Sequence, residues 1–120
     1  MNREIKFRGK SRISNNWVYG LPGYTSGEEI GVISGWMGED GFETYQTIEV
    51  DSKTIGQFTG VKDKNDVEIF EGDLMDYGNK RHYPVIFKEG RFQMEPINFQ
   101  GLLELFAVIG NIQDDTHLLP

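Results

Sequence analysis

From Glu4 to Arg12 apolar and polar residues alternate, with Ile5 and Phe7 on one side and Lys6, Arg8, Lys10 and Arg12 on the other. A period of two marks a half-buried strand. Ser14-Asn15-Asn16 supplies turn chemistry, because Asn tolerates the left-handed backbone. Trp17-Val18-Tyr19 then returns, so residues 3–20 are predicted to form a β-hairpin. Residues 20–43 are rich in Gly and acid, and only Ile30 to Trp36 reads there as a short strand. β-branched and aromatic residues predict further strands at Thr44 to Val50 and Thr54 to Thr59.

The second half has the same grammar at shorter intervals. Lys62-Asp63-Lys64-Asn65-Asp66 is a polar turn between Val61 and the run Val67-Glu68-Ile69-Phe70. Glu71-Gly72-Asp73 turns into a strand at Leu74 to Tyr77, and Gly78-Asn79-Lys80-Arg81 turns again. Tyr83 to Phe87 is a strand, Glu89-Gly90 a turn, and Arg91 to Met94 its partner. Leu102, Leu105, Phe106 and Ile109 have helical spacing, while Phe106-Ala107-Val108-Ile109 suits a buried strand. We expect one helical turn near 99–104 and a strand over about 105–112. Short strands with turns this frequent predict an all-β, mainly antiparallel fold: an N-terminal hairpin plus a small SH3-like curled sheet or barrel.

The chain has 120 residues, enough for one domain over 1–120 or for two lobes, 1–52 and 53–120. Hydrophobic residues at 38% can build a core, and 15 Gly fit many tight turns. The absence of Cys excludes disulfides, zinc thiolates and thiol chemistry. Charges at Arg3, Glu4 and Lys6 stand where a signal peptide needs an apolar run, and no apolar stretch has spanning length, so a cytoplasmic protein is expected. The net charge of -7 argues against a general polyanion binder. It is unevenly spread: residues 28–51 carry Glu28, Glu29, Glu39, Asp40, Glu43, Glu49 and Asp51 with no Lys or Arg.

Familiar motifs fail on inspection. Gly9-Lys10-Ser11 lacks the earlier Gly of a phosphate loop, since position 4 is Glu4. The run from Asp63 puts Val67 and Glu68 where a calcium loop needs a ligand and a Gly. His82 and His117 have no metal-binding spacing, and Asp114, Asp115 and His117 read as a polar tail. Nucleophile elbows and dinucleotide fingerprints are absent. No catalytic, cofactor or metal residues are therefore assigned, and no enzyme activity is expected.

One segment is specific. Thr54-Ile55-Gly56-Gln57-Phe58-Thr59-Gly60-Val61-Lys62-Asp63-Lys64-Asn65, continuing through Val67-Glu68-Ile69-Phe70-Glu71-Gly72-Asp73-Leu74, resembles the signature of the YopX family of phage and prophage proteins. The opening Arg3-Glu4-Ile5-Lys6-Phe7-Arg8-Gly9, the strand Trp17-Val18-Tyr19-Gly20 and the closing Val108-Ile109-Gly110-Asn111-Ile112 resemble it too. Asp66 departs from the family's usual Gly, and Gln113-Asp114-Asp115-Thr116 from its usual Tyr-Glu-Asn-Pro. The resemblance implies an all-β fold, a mobile-element origin and a life inside a bacterial cell, and it brings no activity, cofactor or catalytic residues with it. Within the signature, Gly56, Gln57, Thr59, Gly60, Asp63, Glu71, Gly72, Asp73, Gly110 and Asn111 are expected to shape turns, caps and a bulge.

Two binding readings follow. The acidic segment holds Tyr24, Trp36, Phe42 and Tyr45; large aromatics are usually core, but on a charged surface Trp36 would anchor a host or phage protein. Alternatively Lys6, Arg8, Lys10 and Arg12, about 6.6–7 Å apart on one strand face, would follow the phosphates of a nucleic acid. The protein partner is the favoured expectation, with self-association through edge strands compatible with both.

Overall fold

The computed structural model describes residues 4–24, 30–37, 44–78, 81–94, 103–115 and 117. It contains ten antiparallel strands and two short 3-10 turns, and no α-helix among the described residues. The all-β expectation holds; among the described residues the sheets are open and form no closed barrel. The 3-10 turn Leu103–Leu105 occupies the end of the predicted helical turn, whose residues 99–102 lie outside the described ones. No helix among the described residues is long and apolar enough to cross a membrane.

The chain divides into two compact units, Met1–Gln57 and Phe58–Pro120. In the first unit the strands β1 (Phe7–Lys10), β2 (Trp17–Tyr24), β3 (Ile30–Met37) and β4 (Thr44–Asp51) lie in the order β4-β3-β2-β1. Asn15 takes a positive φ of 60° in the first turn, the conformation its side chain tolerates. β2 runs on past Tyr19 through Pro22 to Tyr24, so the Gly-rich region holds more strand than its composition suggests.

The four strands curl. Ser11 forms an isolated bridge with Val50, and the Arg12 amide donates to the Glu49 carbonyl. The chain then follows the outer edge of β1: Thr54 Oγ1 accepts from the Lys10 amide at 2.8 Å, and Gly56 and Gln57 pair with Arg8 and Phe7. Ile33 and Val50 are fully buried on the concave side. Gly9 makes the curl feasible, since a Cβ there would lie 2.9 Å from a Val50 methyl carbon.

In the second unit β5 (Gly56–Lys62), from Phe58 on, pairs with β6 (Glu68–Phe70), and β7 (Asp73–Gly78), β8 (Arg81–Lys88), β9 (Arg91–Met94) and β10 (Ala107–Asn111) form a sheet in the order β10-β7-β8-β9. Its core is Ile69, Met75, Val85, Met94 and Leu103, with Tyr83, Phe92, Phe106 and Val108 packed against it. Glu89 and Gly90 both have positive φ, 56° and 81°, the two-residue turn whose twist suits a hairpin.

Candidate functional site

Most signature residues fall on the backbone joints of the second unit, while Gly56 and Gln57 close the first. Asp63 is buried, and its carboxylate accepts three main-chain amides: Asn65 and Val67 on Oδ1 at 2.7 and 2.9 Å, and Val108 on Oδ2 at 2.8 Å. One side chain thus closes the β5–β6 turn and ties it to β10. Burial alone would push the carboxyl up, but the bonds to Val108, Val67 and Asn65, with the charge of Lys64, hold it below the usual carboxylate range. A carboxylate with three of its roughly four lone-pair sites taken by backbone amides serves as a structural acceptor.

Asp73 acts similarly at the next turn, where its Oδ2 accepts from the Phe70 amide at 2.7 Å. Gly72 sits between them at φ 93°, donates to the Val85 carbonyl and accepts from the Ile112 amide, while Glu71 beside it is half-buried. Gly60, at φ 91°, lies in an irregular stretch where Phe58 and Lys62 pair with Phe70 and Glu68, and the buried Thr59 accepts the Val61 amide there. Gly56 is buried and Gln57 half-buried. Gly110 follows a bulge against β7, and a Cβ on it would meet Asp115 Oδ2 at 2.6 Å. Asn111 Oδ1 caps the last turn by accepting the Gln113 and Asp114 amides.

The basic stripe differs from its sequence reading. Register places Arg8 opposite Tyr19 and Lys10 opposite Trp17. Both cations lie down on the indole, Arg8 Cζ at 4.0 Å and Lys10 Nζ at 4.6 Å from the ring centroid, and both are buried. Lys10 Nζ also donates to the Asn15 carbonyl at 3.3 Å. Lys6 is half-buried with Glu4 at 3.6 Å, Arg12 is exposed, and Ile5 is 63% exposed. The alternation therefore ranks burial wrongly here. The long aliphatic stems and cation–π attraction make Trp17 a better neighbour for Arg8 and Lys10 than water.

The outer face of β2, β3 and β4 is the opposite case. Leu21, Ser34 and Thr47 stand in one cross-strand row, and Ser34 and Thr47 share a hydrogen bond of 2.8 Å. Two residues along each strand, the same face presents Tyr19, Trp36 and Tyr45. Trp36 and Tyr45 are directly paired, with ring centroids 5.7 Å apart and planes at 77°. Trp36 is 69% exposed, Tyr45 61% and Leu21 56%. The usual expectation that such aromatics are core fails for Trp36 and Tyr45, because strand alternation puts them on the face opposite the buried Ile33 and Val50. The side chain of Tyr24 and the whole of Phe42 lie outside the described residues. Tyr19, Leu21 and Thr47 were not singled out from the sequence, although period-two counting outward from Trp17 and from Tyr45 reaches them.

Among the described residues no group of three His, Asp or Glu side chains is set to hold a metal ion. The model of the YopX protein family matches residues 6–120. The chain belongs to the YopX family. A crystal structure of an Enterococcus faecalis protein is similar to this YopX chain with a TM-score of 0.65 and 24% identity, covering 99% of this chain and 100% of that one. That likeness speaks for the fold alone. No curated protein matches the chain.

Proposed function

We propose that this YopX-family protein is a non-catalytic protein-binding module, an accessory protein of phage or prophage type working in the bacterial cytoplasm. The outer face of β2–β4 is its contact surface and Trp36 its anchor. The observation that carries this reading is the exposed Trp36–Tyr45 pair beside exposed Leu21. Rigid aromatics ordered by a sheet bury much area at little entropic cost, which is why such residues dominate interface energetics. The non-catalytic part is supported by Asp63 and Asp73, the buried carboxylates, which are given over to backbone amides. A nucleic-acid reading through the basic stripe would require Arg8 and Lys10 to leave Trp17 first.

The test is affinity capture from a bacterial lysate treated with nuclease, using the wild type and Trp36→Ala at matched thermal stability. A protein retained by the wild type and lost by the variant is expected. Capture unaffected by Trp36→Ala, or abolished by nuclease alone, would refute the reading.

A further inference from the structure

We infer that the partner segment seated on the Trp36 face is cationic, a stretch of polypeptide presenting Arg or Lys; the inference rests on the binding-module reading above. Three observations carry it. The first is the indole itself. Trp36 is 69% exposed, and its edge contact with Tyr45 leaves ring surface open to solvent. Among the described residues no cation of this chain stands over it. An exposed indole face is the best aromatic acceptor for an ammonium or guanidinium ion.

The second is a precedent on the same sheet. Trp17 holds Arg8 at 4.0 Å and Lys10 at 4.6 Å from its ring centroid, so the sheet already stacks basic side chains on a tryptophan. The chain has two Trp, and among the described residues Trp17 has its own cations and Trp36 has none.

The third is charge. Residues 28–51, which include β3 and β4, carry seven acids and no Lys or Arg. On β4, Glu49 and Asp51 are exposed, and Glu49 shares the face of Tyr45 and Thr47. Among the described residues of β2, β3 and β4 these two acids are the charged side chains, while Arg8 and Lys10 of β1 are buried against Trp17, so the exposed charge beside the aromatic row favours a cation over a carboxylate. Guanidinium suits the site best, because it stacks flat on the ring while its edge remains available for hydrogen bonds.

The experiment is an NMR titration of the full chain, read at the two indole N–H resonances, with Trp36→Phe to assign them. The probes are a peptide alternating Gly with Arg and Lys, the same peptide with Glu at the charged positions, and a short oligothymidylate. The basic peptide should move the Trp36 resonance and leave that of Trp17 in place, with an effect that weakens as salt rises. Trp36→Ala, followed through the Leu21 and Thr47 amides, should bind it about tenfold more weakly. An equal response to the acidic peptide, no response to the basic one, or a response to the oligothymidylate alone would overturn the inference. If lysate capture still depends on Trp36 while the titration is blank, the binding module stands and its cationic partner falls. If capture also ignores Trp36, both fall together.

Discussion

Asp63 gathers three amides from two separate pieces of chain, Asn65 and Val67 in the turn and Val108 on β10, so its loss reaches beyond its own turn. Asp63→Ala leaves those donors without their acceptor and should cost about 3 kcal/mol in chemical denaturation. The carboxyl is held below its ordinary value, so its contribution is fully present above the unfolded value of about 4 and disappears as pH falls through the lower folded value. Wild-type stability should therefore drop on acidification below about pH 4, and Asp63→Asn should flatten that limb of the curve. Gly110→Ala places a methyl 2.6 Å from Asp115 Oδ2, which is itself bonded to the Asn111 amide at 3.1 Å, and should lower the melting temperature at a cost of about 1–2 kcal/mol. The turn chemistry of these residues is legible in the sequence, because Gly, Asn and Asp have local reasons to occupy turns. That Asp63 also reaches Val108, 45 positions away, is set by tertiary packing and carries no local signal.

At the scale of elements, strands announced by strict alternation or by turn residues stand close to where the sequence puts them: β4, β8 and β9, with Asn15 and Glu89-Gly90 at the joints. The second half of β2 carries little strand signal, because Leu21-Pro22-Gly23-Tyr24 is poor in β-forming residues and pairing with β3 overrides propensity there. The direction of side chains was less legible than the strands. On β1 the alternation correctly separates two faces, but which is buried depends on Trp17 across the sheet. Ile33, fully buried on β3, and Trp36, exposed three residues later, give a direct check of the assigned faces. Ile33→Ala should cost about 2–4 kcal/mol, and Trp36→Ala less than about 1 kcal/mol, by urea denaturation.

At the scale of the whole molecule, the two units divide the labour. The second carries most of the signature as backbone joints around its core, while the first turns a row of aromatics outward. The family was legible because turn-forming residues recur in fixed order along the chain; the proposed contact face was legible only as far as Trp36, because an exposed and a buried aromatic look alike in one sequence. A competing surface exists on the second unit, where Phe87 is 53% exposed and packs on Phe92 with ring centroids 4.9 Å apart. The most direct measurement is site-specific photo-crosslinking, with a photoreactive phenylalanine placed in turn at Tyr45 and at Phe87 in the full-length chain in bacterial cells. The account predicts a discrete protein adduct from position 45 that Trp36→Ala abolishes, and none from position 87. An adduct from position 87 alone would move the contact surface to the second unit and contradict the central claim.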